Sequence, residues 1–228
     1  TATRGGGGAG GREARRVDRR TGRYPVRAMR LNAAALGFLF AACSSSPAIV
    51  PTPGAIGFDG SLDGWRRDST GGGGPAASWE ACADATAISR PNVMALVATN
   101  HTSDDRFNLF WNPALAFRDG RIGIAVRADR GEVDQGGGPM WRVRDADKYD
   151  RLLDFGRHLE TYYGCRYNPL EPNYRVYVVS KGVRRQLATA IVEAEPHGWH
   201  RLEVEHVGSH IRCWFDGRLE LEADDATI

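Results

Sequence analysis

Glu132 and Asp134 are two carboxylates with one residue between them, a spacing that suits glycoside hydrolysis. Enzymes that retain the anomeric configuration hold two carboxyl groups about 5 Å apart, which requires both on one face of a strand. The Glu-x-Asp motif of laminarinase-type hydrolases continues to a further carboxylate, and this chain has Gly136 or Gly137 at that point. The motif is incomplete, and the alternative interpretation is a strand-to-turn segment whose glycines allow a bulge or close packing.

A second group of polar residues alternates along two predicted strands. In residues 140–144, Arg142 and Arg144 point away from Trp141, and Arg166 and Asn168 share one side of residues 162–168. If these strands are neighbours, they build a surface suited to sugars, because arginine offers a rigid fork of donors and tyrosine an amphipathic ring. An ordinary solvated sheet face with cross-strand charge pairs is the alternative. The candidate sugar-binding residues are Arg142, Arg144, Tyr162, Arg166, Asn168 and Gln135.

Other side chains could hold an ion or accept hydrogen bonds at the rim of this surface. Asp145, Asp147 and Glu171 would supply carboxylate acceptors. Asp59 could ligate calcium through oxygen, as happens in some sandwich domains. No other cofactor is indicated, because the histidines lack metal-ligand spacing and neither a nucleophile elbow nor a phosphate-binding loop is present.

Strands must position these residues, because the apolar period from Ile56 onward is two rather than 3.6. Asp216-Gly217 and Lys181-Gly182 separate alternating runs and predict hairpin turns. Residues 168–173 are predicted to join two further strands. About ten strands and the available length predict one all-β domain over residues 55–228, a two-sheet antiparallel sandwich. Residues 149–161 break the alternation and read as an insertion.

The segments before this domain predict export rather than a packed fold. Residues 1–28 contain eight arginines and many glycines, so we expect them to be disordered and to lie upstream of a true start at Met29. Residues 29–43 have the layout of a signal peptide ending in a lipobox-like site, with Cys43 as the lipidated residue. Residues 44–54 then form a linker. The net charge of +2 comes from the first segment, so no nucleic-acid partner is expected, and membrane contact would run through the lipid anchor alone.

The order and spacing of motifs across the domain resemble one bacterial family. Among the matching stretches are Phe58-Asp-Gly, residues 131–138, Asp145-Ala-Asp, Tyr162-Tyr163, Arg166, Asn168, Glu171, Asn173, Trp199-His200 and Asp216-Gly217. Together they are similar to the 3-keto-disaccharide hydrolase domain family, a concanavalin A-like, LamG-like jelly-roll group. The resemblance implies a jelly-roll sandwich whose last strands are missing after residue 228, and an insertion near residues 149–161.

The resemblance leaves three functional readings open. The first is an exported domain that binds glycan on the polar face of one sheet. The second is a hydrolase of 3-keto-disaccharides or related glycosides. In that reaction Asp145, Asp147 or Glu171 would be the base, and Arg142 or Arg166 would stabilise an enolate-like charge. The third is a structural surface lipoprotein without a ligand.

Overall fold

The computed structural model describes residues 56–70, 77–99, 106–132, 134–144 and 161–228. The segments assigned above to residues 1–54, the lipidation site Cys43 and nearly all of the predicted insertion lie outside them. Within the described residues every regular element is a strand, which confirms the all-β prediction. The strands are β1 (Arg66–Thr70), β2 (Ser78–Ala83), β3 (Asn92–Ala98), β4 (Phe107–Trp111), β5 (Gly120–Arg127), β6 (Met140–Arg144), β7 (Thr161–Asn168), β8 (Asn173–Ser180), β9 (Val183–Ile191), β10 (Trp199–Val207), β11 (His210–Phe215) and β12 (Arg218–Asp224). The described part of the chain contains no helix that is long and apolar enough to cross a membrane.

Two four-stranded antiparallel sheets form the sandwich. The first sheet has the order β6-β7-β8-β9, and the second sheet has the order β12-β11-β10-β5. Alternate residues of each strand face the other sheet, and they form one buried apolar core. Each large side chain that is fully buried there stabilises the fold by about 1.5–3 kcal/mol. The core includes Tyr163, Tyr174, Val176 and Val178 of the first sheet and Leu202, Val204, Ile211, Cys213 and Leu221 of the second.

The predicted turns and thiols agree with this architecture. Lys181-Gly182 and Asp216-Gly217 join β8 to β9 and β11 to β12, and all four residues have positive φ. Such angles favour glycine and tolerate few other residues, which explains the turn signal in the sequence. Cys165 and Cys213 are buried free thiols within the core, as the alternation of their strands predicts.

A bulge in β6 changes the direction of its side chains. The register against β7 shifts between Trp141 and Arg144, and Arg142 has φ 49°. Trp141 enters the main core, while Val143 packs into a second apolar cluster with Leu109 and Trp111. The simple alternation predicted for residues 140–144 is therefore wrong, because a bulge inserts an unpaired residue and re-aims those around it.

A two-stranded ribbon of β1 and β4 covers part of the outward face of the first sheet. Leu109 and Trp111 of β4 pack against Tyr162 and Val179, which point away from the main core. A second ribbon, β2 with β3, adjoins the first, and the ring centres of Trp79 in β2 and Phe110 in β4 lie 5.6 Å apart. Toward the turn between β7 and β8, the ribbon reaches this face through Phe107, whose ring lies 5.9 Å from the guanidinium of Arg166.

Candidate functional site

Six polar residues gather at the end of the first sheet near the turn between β7 and β8. The residues between Cys165, Tyr167, Tyr174 and Val176 must face outward, because those four enter the core and side chains alternate along a strand. Arg166 is directly opposite Arg175 in the β7–β8 register, and Asn168 is directly opposite Asn173. Two carboxylates from neighbouring segments complete the group. The hairpin cluster consists of Asp134, Arg166, Asn168, Glu171, Asn173 and Arg175.

Asp134 is held by an arginine and an asparagine. Nη1 of Arg166 lies 3.3 Å from Oδ2 of Asp134, and Nδ2 of Asn168 donates to Oδ1 at 2.6 Å. Asn168 is fully buried, and its own oxygen accepts from the backbone N–H groups of Gln135 and Leu170, each at 3.2 Å. The Asp134 side chain remains 46% exposed. An accessible carboxylate is thus fixed in one orientation by buried partners.

Glu171 has the same two kinds of partner. Nη1 of Arg175 lies 3.5 Å from Oε2 of Glu171, and Nδ2 of Asn173 donates to that oxygen at 2.6 Å. Asn173 is buried, whereas the Glu171 side chain is 52% exposed. The second carboxylate is therefore also oriented by its two partners and accessible to solvent.

Three buried polar atoms of this cluster have no hydrogen-bond partner among the described residues. They are Nε of Arg166, Nε of Arg175 and Oδ1 of Asn173. Buried polar groups in native proteins are nearly always satisfied, and an unsatisfied one costs about 1–3 kcal/mol. These three atoms fall within one cross-strand group and lie below its accessible surface.

The glycines after Asp134 bring it into the cluster. A Cβ at Gly138 would lie 1.8 Å from the carbonyl oxygen of Cys165, and one at Gly136 would lie 2.2 Å from that of Tyr167. Only residues without a side chain allow this approach to β7, where Gly137 forms a bridge with Tyr167. The close-packing interpretation of these glycines is confirmed. The sequence placed Asp134 only in an incomplete hydrolase motif with Glu132, and the contact of its segment with β7 is what joins it to Arg166 and Asn168.

Apolar surface borders the hairpin cluster. Ile191 is directly opposite Asn173 in the β8–β9 register and is 79% exposed, and Leu170 in the adjoining turn is also exposed. On the ribbon side, the Phe107 ring lies 5.9 Å from the guanidinium of Arg166 and 6.0 Å from the Tyr177 ring. The site therefore combines oriented charges with apolar contacts, which is the composition that ligand sites generally show.

The structure brings together only part of the predicted surface. Arg166, Asn168 and Glu171 belong to the hairpin cluster, and Gln135 adjoins it, with its side chain donating to the Gly131 carbonyl at 3.1 Å. Arg144 is exposed opposite Thr161, at the other end of β7. Asp145 and Asp147 lie outside the described residues.

Arg142 and Tyr162 do not share this surface, so that part of the prediction is wrong. The Arg142 guanidinium donates to the carbonyls of Arg118, Gly208 and Ile228 and pairs with Asp119 at 3.0 Å. The β6 bulge sends it to these partners. Tyr162 is buried beneath the covering ribbon, where its hydroxyl bonds to Thr70, and burial raises its pKa well above the usual range. A residue under a ribbon cannot reach a ligand.

Trp214 and the predicted calcium ligand Asp59 both have partners within the protein. Trp214 faces outward on the second sheet, but the guanidiniums of Arg121 and Arg212 lie 4.1 Å and 5.6 Å from its ring centre. Asp59 accepts from the backbone N–H of Asn92 at 3.1 Å. Across the described ranges, no group of three or more His, Cys, Asp or Glu side chains could hold a metal ion. The calcium site at Asp59 stays a prediction.

A separate polar group is buried inside the sandwich. Nε1 of Trp141 donates to Nδ1 of His206 at 3.0 Å, and the Tyr163 hydroxyl donates to Oδ1 of Asp225 at 2.6 Å. Burial lowers the pKa of His206 to about 4, with the positive charge of Arg142 acting in the same direction. Burial opposes ionisation of Asp225, but hydrogen bonds led by that of Tyr163 outweigh it and lower its pKa to about 2. These groups stabilise the core and are closed to ligands.

Comparisons with known proteins add one structural similarity. No protein-family model matches this chain, and no curated protein matches it. Among solved structures, it is similar to the carbohydrate-binding module CBM66 from Bacillus subtilis, with a TM-score of 0.47 and 12% sequence identity. That similarity covers 72% of this chain and 81% of the other. No residue role follows from a similarity at this level, so the hairpin cluster is defined by this chain's own contacts.

Proposed function

We propose that this sandwich domain binds carbohydrate through the hairpin cluster. The observation that supports this most is the pair of exposed carboxylates, Asp134 and Glu171, each oriented by an arginine and a buried asparagine. The predicted signal and lipobox over residues 29–43 would present this surface outside the cytoplasm, which incorporation of labelled fatty acid at Cys43 would test.

Sugar hydroxyls suit such an arrangement because each can donate and accept at once. A hydroxyl would donate to the carboxylate oxygen while it or its neighbour accepts from the adjacent guanidinium. Hydrogen bonds with one charged partner are about twice as strong as neutral ones. Because Asn168 and Asn173 already hold the carboxylates, little side-chain entropy is lost on binding. Ile191 and Leu170 offer apolar contact to the C–H groups of a sugar ring.

Replacing Arg166 by alanine is expected to weaken glycan binding by about 10- to 100-fold, because it removes a charged donor and releases Asp134. A glycan array would identify a ligand for the parent protein, and calorimetry would compare the affinities of parent and variant. Arg121→Ala is the matched control, since Arg121 pairs with Glu203 on the second sheet. Equal binding by Arg166→Ala and the parent would refute the assignment of the site.

Hydrolysis of 3-keto-disaccharides is a second proposal, and the exposed position of Glu171 beside Arg175 favours it. A keto group acidifies the adjacent C–H, so Glu171 would take that proton while a guanidinium stabilises the enolate. The protonated Glu171 would return this proton to the oxygen of the second sugar as the glycosidic bond breaks, and water would then add across the resulting C1–C2 double bond, its hydroxyl to C1 and its proton to C2. Glu171→Gln is expected to abolish sugar release from a 3-keto-disaccharide, measured by chromatography. Undiminished release by this variant, or none by the parent, would exclude the mechanism.

A further inference from the structure

The hairpin cluster contains the same three chemical groups twice. Asp134, Arg166 and Asn168 form one carboxylate–guanidinium–carboxamide set, and Glu171, Arg175 and Asn173 form the other. The two guanidinium residues are register partners across β7 and β8, and so are the two carboxamide residues. The antiparallel hairpin thereby places the arginine and asparagine of one set on each of its strands, while Asp134 comes from the segment before β6 and Glu171 from the turn.

We propose that the two sets are adjacent subsites, so that the ligand is a neutral glycan whose neighbouring sugar residues each contact one set. This inference rests on the proposed carbohydrate binding and specifies the ligand class of the same site. Each set presents a fixed acceptor next to a donor, which is what a pair of neighbouring hydroxyls on one ring requires.

The register of the two sets favours a single ligand that spans both. Arg166 is directly opposite Arg175 and Asn168 is directly opposite Asn173. Residues in such antiparallel pairs have Cα atoms about 4.5–5.5 Å apart, so the two sets are neighbours on one face of the hairpin. Two linked rings of one glycan chain would contact both sets at once.

The exposure of the charges favours a neutral sugar over a uronic acid. Each guanidinium has its own carboxylate, and the arginine side chains are 14% and 33% exposed. The carboxylates of Asp134 and Glu171 are more accessible, at 46% and 52%. An acidic sugar would therefore meet negative charge first, and like charges repel at short range.

Calorimetry on the full chain with matched sugars tests this inference. The probes are the methyl glycosides of glucose, galactose, mannose and fructose, a neutral disaccharide of each sugar, and digalacturonic acid. We expect the best disaccharide to bind at least about 10-fold more tightly than its own methyl glycoside, because the second contact becomes intramolecular. Digalacturonic acid is expected to bind more weakly than the neutral digalactoside.

Variants in each set provide the second arm of the experiment. Asp134→Asn and Glu171→Gln change exposed side chains with little change of shape, and thermal unfolding would verify that they fold. Each is expected to reduce disaccharide affinity to about that of the methyl glycoside, while methyl glycoside affinity falls only about two-fold because one set remains. The Arg121→Ala protein again serves as the control.

The outcomes separate this inference from the proposed function. Equal affinities for a disaccharide and its methyl glycoside, or one variant that abolishes binding of both, would mean a single subsite and overturn the inference while carbohydrate binding stands. Tighter binding of digalacturonic acid would overturn the neutral assignment. Absence of binding to every probe and to a glycan array would overturn the proposed function itself.

Discussion

Alanine at position 138 is expected to lower the free energy of unfolding by about 3 kcal/mol, with loss of glycan binding in the protein that still folds. Its Cβ would lie 1.8 Å from the carbonyl oxygen of Cys165 and 2.8 Å from the carbonyl carbon. Backbone atoms of a central strand cannot yield by that distance, so the segment from Asp134 to Pro139 must move away from β7. Overpacking of this kind typically costs 1–3 kcal/mol, occasionally more.

The movement would also dismantle one half of the binding site. The Asp134 carboxylate reaches Asn168 and Arg166 only while its segment lies against β7. Urea unfolding would measure the change in stability, and calorimetry would measure the change in affinity. Gly60→Ala is the matched control, because a Cβ at Gly60 meets nothing within 4 Å and its backbone angle is not strained. A Gly138→Ala protein as stable as this control would contradict the close approach of the two segments.

Acidification from pH 6.5 to 4 is expected to cost the parent protein about 3 kcal/mol more stability than a His206→Gln variant. The folded protein lowers the pKa of the buried His206 from its ordinary value of 6.5 to about 4. Between pH 6.5 and pH 4 the His206 ring is therefore protonated in the unfolded state and neutral in the folded state. The stabilisation is complete above pH 6.5 and is lost as the pH falls toward 4, and the pKa difference sets its size at about 3 kcal/mol.

Glutamine suits this test because its amide oxygen can accept the Trp141 indole hydrogen that His206 accepts. Denaturant titrations at pH 7, 6, 5 and 4 would give the free energy of unfolding of each protein. If the free energies of unfolding of the parent and the His206→Gln variant fell equally with pH, protonation of this ring would not be the cause of the lost stability.

The hairpin cluster shows how far local pattern predicts a site. Arg166 and Asn168 lie on the outward side of β7 as alternation predicts, and residues 168–173 do join β7 to β8. Because the two strands pair as an antiparallel hairpin, the polar side chains of Asn173 and Arg175 on β8 lie on the same face. Asp134 belongs to a segment more than thirty residues before Asn168, and no local pattern in the sequence predicts the contact between the two.

Arg142 and Tyr162 show where alternation fails. A regular strand would place both on the outward face, but the bulge at Trp141–Arg144 re-aims Arg142 toward the carbonyls of Arg118 and Gly208. Tyr162 keeps its predicted direction, yet the covering ribbon arrives from β4 and buries it. Bulges and covering elements depend on contacts between distant segments, so the period of one strand carries no information about them.

The amino-acid sequence by itself determined the all-β class, the hairpin turns and the outward side of Arg166 and Asn168 on β7, because these depend on side-chain period and turn chemistry within a few residues. Only the tertiary structure decided which outward residues remain open to a ligand. That outcome depends on the ribbon over Tyr162, the bulge at Arg142 and the glycine contact that brings Asp134 to Asn168. Each is a contact between segments that are distant in the sequence, so it stabilises the fold only once both segments are in position.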